Sequence, residues 1–259
     1  MTDADLDLVA TRLAGDQGSS AVLLVGPSLG TSVTALWDQC AALLGDRFEV
    51  VGWDLPGHGR SPAATGPFSV ANLAASVTRL AERLRAHRPV AYAGVSLAGA
   101  VGFQLAVDGG PWDVVVTLAS APRIGEPNAW HERADLVRRA GTAVMVDGSS
   151  RRWFAPGFTD RAPETTSRLL SSLVEADAAS YSWACEALAG FDLRAQMVGA
   201  VTPVVAVTGE HDSVVPPEAL HSGFAGDVRV LPGVAHLPPA EDPAATAALL
   251  STVLSGASA

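Results

Sequence analysis

The sequence predicts an α/β fold, with a mostly parallel central sheet, helices on both faces and a helical cap inserted before the last core strands. Three observations predict it. Apolar runs of strand length alternate with amphipathic stretches from Ala21 to Leu118, and again from Thr202 onward. Between them, from Ala121 to about Leu193, strand-like runs disappear and helical patterns follow one another. In Gly94-Val-Ser-Leu-Ala-Gly99 a serine stands where the chain must reverse within two residues, between an apolar strand and a helix. Residues 1–120 and 194–259 are therefore read as the two parts of the core, and 121–193 as the cap.

Each element follows from its local pattern. Leu6 to Leu13 alternates loosely, as an edge strand does, and Ala21 to Val25 is the first strongly apolar strand. It runs into the loop Gly26-Pro-Ser-Leu-Gly30, whose backbone N–H groups are free to face a developing negative charge, although a plain strand-to-helix connection reads the same way. Val33 to Leu44 is helical, with Trp37 on its packed side. Phe48 to Asp54 is a strand that ends in the tight turn Leu55-Pro-Gly-His-Gly-Arg-Ser61, where His58 reads as a residue that ties the loop down. Val70 to His87 places Val70, Leu73, Val77, Leu80 and Leu84 on one helical face and Arg79, Glu82 and Arg83 on the other. Strands at Val90 and at Trp112 to Leu118 flank the helix that begins at Gly99. Cap helices are predicted at Asn128 to Arg139, Ser150 to Phe154, Pro163 to Glu175 and Asp177 to Ala189. The core resumes at Thr202, continues with a short strand at Val228, and ends in a helix from Pro243 to Leu254.

Composition narrows the function. The chain has 259 residues, 48% of them hydrophobic, with a mean hydropathy of +0.26 and a net charge of −10 against 17 Lys plus Arg. Such a surface repels nucleic acid and anionic membrane, and an anionic substrate would need a local positive group to hold it. No apolar run reaches the ~18 to 20 residues that span a bilayer, and the acidic start is the reverse of a signal peptide, so a cytoplasmic location is expected. Cys40 and Cys185 have neither metal-ligand nor disulfide-framework spacing and are expected to be reduced thiols in packed helices. No metal and no cofactor is called for, and the oligomeric state is not legible.

The serine turn has the form of a nucleophile elbow, in which a strained turn lifts a hydroxyl clear of the sheet. A structural glycine-rich turn shares that composition. Ala98 stands where the pattern Gly-x-Ser-x-Gly ends, and Gly99 beside it is expected to leave room for the methyl group. Two further loops supply partners in the order acid and then histidine. Asp212 follows the buried strand beginning at Thr202, and His236 follows the strand at Val228. Ser96, Asp212 and His236 are thus the catalytic candidates, with the amides of Leu29 and Leu97 as the oxyanion hole. Arg123 immediately follows the strand ending at Leu118, near the elbow. It is a candidate clamp for a substrate carboxylate, the alternative being an ion pair with Glu126 or Asp135. Trp130 and Trp153 are candidate substrate-binding residues in the cap, where aromatics are also expected simply to fill the cap–core interface.

Taken together, these stretches resemble the 3-oxoadipate enol-lactonase family of α/β-hydrolases. The matching segments are Pro27 to Thr31, Trp53 to Ser61, Gly94 to Gly99, Arg123 to Arg133, Arg152 to Pro156, Gly209 to Asp212 and Ala235 to Leu237. The departures are Ala98, Pro27 and the pair Pro238-Pro239. The resemblance implies an α/β-hydrolase fold and a small-molecule substrate bearing a carboxylate. It also implies opening of the lactone ring of 3-oxoadipate enol-lactone by a Ser-His-Asp mechanism in aromatic degradation. A carboxylesterase, a C–C bond hydrolase of another small acid and a non-catalytic small-molecule receptor remain as alternatives.

Overall fold

The computed structural model describes residues 6–257. Seven strands form one sheet in the order β1-β3-β2-β4-β5-β6-β7, and every neighbouring pair except β1 with β3 runs parallel. The strands are β1 (Ala10–Ala14), β2 (Ala21–Gly26), β3 (Phe48–Trp53), β4 (Val90–Val95), β5 (Trp112–Leu118), β6 (Val204–Gly209) and β7 (Asp227–Leu231). Helices cover both faces, so β3 and β4 are buried along their whole length, and their valine-rich sequences satisfy that double burial. Parallel pairing has a functional consequence. It brings the carboxyl ends of β2 through β7 to one edge of the sheet, where each is followed by a loop.

α1 (Val33–Ala42) packs with α11 (Pro243–Ala257), and α2 (Val70–Arg85) with α3 (Leu97–Asp108). Ser69 and Asn72 form a reciprocal capping box at the start of α2, which explains why a helix of low overall hydrophobicity begins sharply there. Between β5 and β6 the chain inserts α4 (Pro127–Ala140), α5 (Val146–Trp153), α6 (Phe158–Arg161), α7 (Pro163–Glu175) and α8 (Ala178–Ala189). These helices lie over the carboxyl edge. The Asp177 amide donates to Gly57 O at 2.8 Å, the Ala64 amide to Ser180 Oγ at 3.0 Å, and the His236 amide to Trp153 O at 3.2 Å.

Several elements differ from the sequence reading, some of them for evident local reasons. β1 is confined to Ala10–Ala14, with an irregular register between Arg12 and Ala14. α3 begins at Leu97, two residues earlier than expected, because the chain turns on Ser96 itself. Two short helices, α9 (Pro217–Gly223) and α10 (Pro238–Glu241), each start with proline at the first position, where a missing N–H costs nothing. The pair Pro238-Pro239 is therefore the start of a helix.

Glu49, 1% exposed on β3, receives Arg12 from the edge strand at 2.8 Å and Arg88 from the turn before β4 at 2.6 Å. One carboxylate thus holds an edge strand and a connection to the same central strand. Truncating it leaves the half-buried Arg88 without a carboxylate and with backbone carbonyls as its remaining partners. Glu49→Ala is expected to lower the unfolding free energy by about 2 kcal/mol, measured by urea denaturation.

Candidate active site

The elbow is held from three sides. Ser96 has φ 56° and ψ −112°, a backbone conformation that costs a non-glycine residue roughly 1–3 kcal/mol. Its amide donates to Leu118 O on the neighbouring strand at 2.8 Å, and its carbonyl accepts from the Ala100 amide at 2.8 Å to start α3. Gly94 cannot carry a side chain, because a Cβ there would lie 2.3 Å from Ala98 O. Nor can Gly99, whose Cβ would meet the Ser120 side chain at 2.4 Å. The room for the Ala98 methyl comes from elsewhere than expected. That methyl faces Gly26 at the end of β2, where a Cβ would sit only 2.6 Å from it. Helix and strand share one methyl between two positions, and this chain places it on the helix.

Asp212 and His236 come together in the loops after β6 and β7. His236 Nδ1 lies 3.0 and 3.1 Å from the two carboxylate oxygens of Asp212, and the two residues are 2% and 3% exposed. Asp212 Oδ1 also accepts the amides of Val214 at 2.8 Å and Val215 at 3.0 Å. Burial by itself would raise the Asp212 carboxyl. The charge and hydrogen bond of His236 and the two amides outweigh it and hold the group below the usual carboxylate range. An ionised acid on Nδ1 orients the imidazole so that Nε2 is left to face a reacting hydroxyl. Ser96 stands at the same edge of the sheet, buried to 6%.

The loop after β2 is pinned from below. Trp37 Nε1 donates to Gly26 O at 3.0 Å, Thr31 Oγ1 donates to Ser28 O at 2.9 Å, and buried Asp54 accepts the Val33 amide at 2.7 Å and the Arg60 amide at 3.0 Å. Among the described residues neither the Leu29 amide nor the Leu97 amide donates a hydrogen bond. One unspent donor thus lies in the loop after β2 and the other at the first residue of α3, and backbone donors of this kind can stabilise an oxyanion.

His58 is a loop tie. Its Nδ1 lies 2.9 Å from Pro56 O, its ring stacks 6.1 Å from that of Tyr181, and burial lowers its pKa to about 4, so it stays neutral at ordinary pH.

Above the loop after β2 lies a cavity of about 180 Å³, bordered by Leu29 and Val214 and walled by Trp130, Arg133, Arg152, Trp153 and Tyr181. Trp130 and Trp153 thus reach the cavity, as expected. Arg123 does not. Its guanidinium lies 2.5 Å from Glu126, the ion-pair alternative, and it borders a separate surface depression with Arg194, while Asp135 pairs with Arg138 instead. The pair engages the Arg123 guanidinium with Glu126, a residue that itself lines the cavity.

Two arginines that sequence reasoning passed over take the position instead. Arg133 lies over the Trp130 ring, 4.7 Å from its centroid. Burial, followed by the neighbouring charge of Arg133, lowers the pKa of Arg152, and no carboxylate is among the groups acting on it. Burial pushes the Tyr181 phenol between them up to about 12. Among the described residues neither guanidinium has an ion-paired carboxylate, although Glu126 also lines the cavity, and guanidiniums so placed are able to hold an anion.

Among the described residues no cluster of three or more His, Cys, Asp or Glu could hold a metal, and no helix is long and apolar enough to cross a membrane. Burial pushes the thiols of Cys40 and Cys185 up to about 12.

A strained serine after a central strand, a histidine on a buried aspartate and two unspent amides define the layout of an α/β-hydrolase. Residues 21–249 match the model of the alpha/beta hydrolase family, and the chain belongs to that family of hydrolases. Its similarity to particular members is narrower. It is 33% identical to 3-oxoadipate enol-lactonase 2 of Acinetobacter baylyi over 76% of this chain and 74% of that one. It is 27% identical to 3-oxoadipate enol-lactonase 1 of the same organism, over 80% and 76%. The crystal structure of the enol-lactonase from Burkholderia xenovorans LB400 superposes with a TM-score of 0.87, at 28% identity and 96% coverage of both chains.

The shared methyl between α3 and β2 is testable by a double-mutant cycle. Gly26→Ala is expected to cost about 1–3 kcal/mol in urea unfolding, and Ala98→Gly in the same chain to recover part of it. The recovery is partial because Trp53 also stands 2.8 Å from the added Cβ.

Proposed function

We propose that this chain opens the ring of 3-oxoadipate enol-lactone to give 3-oxoadipate, as the names of its enol-lactonase relatives suggest, within aromatic degradation. The observation that carries the reading is the pair Arg133 and Arg152, which lines the cavity and among the described residues has no ion-paired carboxylate, the one acid in the lining, Glu126, being paired with Arg123. A lactone bearing a carboxylate supplies the missing negative charge. With a net charge of −10 on the chain, that local pair is what an anionic substrate needs.

In this reading Ser96 Oγ attacks the lactone carbonyl while His236 Nε2 takes its proton and Asp212 holds the imidazole in orientation. The amides of Leu29 and Leu97 stabilise the tetrahedral oxyanion. The ring C–O bond breaks, and the leaving enolate takes the proton from His236 and tautomerises to the ketone. Water, deprotonated by His236, then cleaves the acyl-serine and releases the second carboxylate. The helices over residues 121–193 act as a cap that excludes bulk water, with Trp130 and Trp153 as apolar walls. The chemistry needs only the lactone and water.

The test is to incubate the purified protein with the enol-lactone and follow loss of its ultraviolet absorbance. Turnover of ~1 to 10³ per second supports the proposal, and stoichiometric acylation without turnover defeats it. Ser96→Ala is expected to lower kcat by about 10⁴-fold or more, and Asp212→Asn by about 10³- to 10⁴-fold. Arg152→Ala and Arg133→Ala are each expected to raise KM for the lactone about tenfold while sparing a neutral ester. Arg123→Ala is expected to change neither. Equal loss on the lactone and the neutral ester in the Arg133 and Arg152 variants would remove the carboxylate role.

A further inference from the structure

The loop that carries His236 is held by a carboxylate that the mechanism above does not use. Glu241, at the end of α10, is 8% exposed. Its Oε1 accepts the amides of Ala235 and Leu237, both at 3.0 Å, so it holds the residues on either side of His236. Its Oε2 accepts the Ala155 amide at 2.7 Å, in the segment of inserted chain that follows Trp153. The His236 amide crosses the same seam in the opposite sense, donating to Trp153 O at 3.2 Å. Three consecutive amides, 235 to 237, are thus committed: two to Glu241 and one to the wall of the cavity.

No cation pairs with Glu241 among the described residues, and its carboxylate is satisfied by backbone amides. A loop tie alone could be made by a neutral acceptor. A buried carboxylate costs more to keep, and burial raises its pKa accordingly. What the carboxylate offers that a neutral amide does not is two oxygens free of hydrogens, which accept all three backbone amides at once. The acidic groups bearing on His236 are Asp212, in contact with Nδ1 from the β6 loop, and Glu241, from α10.

We infer that Glu241 is a positioning residue for His236: it fixes the loop on both sides of the imidazole and ties it to the Trp153 wall of the cavity. The inference rests on reading His236 as the base, and it is independent of which ester or lactone is the substrate. Positioning of this kind acts because a base misplaced by a fraction of an ångström loses much of its effect.

The test compares wild type with Glu241→Gln, which keeps the volume, removes the charge and turns an NH₂ group toward one of the amides. Ser96 is titrated with a fluorophosphonate probe, which reports nucleophile activation without a natural substrate. Labelling is expected to slow about tenfold or more, with Tm within a few degrees of wild type. On any ester that is turned over, kcat is expected to fall by the same factor with KM within about twofold. Glu241→Ala, which removes all three tethers, should slow labelling further. A folded Glu241→Gln protein with the wild-type labelling rate overturns the inference. So does a Glu241→Gln protein that fails to fold, since Glu241 would then be a general structural group. A wild-type protein that labels at Ser96 but leaves the enol-lactone intact refutes the substrate reading alone and leaves this comparison in force.

Discussion

The structure depends on how closely β2, β4 and α3 approach one another around Ser96. The serine backbone stays in a disfavoured conformation only because its neighbours leave it no alternative. Leu118 O captures its amide, α3 begins on its carbonyl, and Gly94, Gly99 and Gly26 remove the atoms that would push the helix away. The same close approach leaves the Leu97 amide unpaired at the first helical position, beside the unpaired amide of Leu29. The Leu97 amide and the elbow belong to one piece of packing, and Ala98 is compatible with it because the complementary space lies on β2.

Around that piece the site is assembled across the seam between core and inserted helices. Gly57 and Ala64, in and beside the turn that follows β3, bind the start of α8, and the His236 loop binds the end of α5 and the residues beyond it. The contacts are largely backbone hydrogen bonds, short and directional, so the helices above the sheet have a defined height over it. Tyr181 and Trp153, which wall the cavity, belong to the helices anchored by those bonds. The aromatic residues of the insertion therefore do both things expected of them, filling the interface and bordering the cavity.

Electrostatics then separates the inside of the site from its surroundings. Around the cavity the acids that might neutralise an arginine are engaged elsewhere: Glu126 with Arg123, Asp135 with Arg138, Asp147 with Arg151. Arg133, Arg152 and Tyr181 line the same cavity. On a chain as acidic as this one, a positive pair is sustained only where burial and aromatic contact shelter it from carboxylates.

Much of this was legible in the amino-acid order. Strand and helix periodicity placed the core elements and the inserted helices, and the glycine spacing around Ser96 with the chain order of Asp212 and His236 placed the candidate triad. Those features are written in nearest-neighbour pattern and loop position, which a linear sequence carries directly. Arg133 and Arg152 were not chosen, although both lie at the ends of the stretches that resemble the enol-lactonases, Arg133 one helical turn after Trp130 and Arg152 next to Trp153. An arginine side chain is long enough to reach either a neighbouring acid or a cavity, and Arg123 took the acid. By itself the sequence determined which elements form and which loops carry the reactive groups. The tertiary structure alone decided which cations face the cavity, why Ala98 fits and that Glu241 holds the histidine loop, because each depends on groups far apart in the chain competing for the same space or the same hydrogen bond.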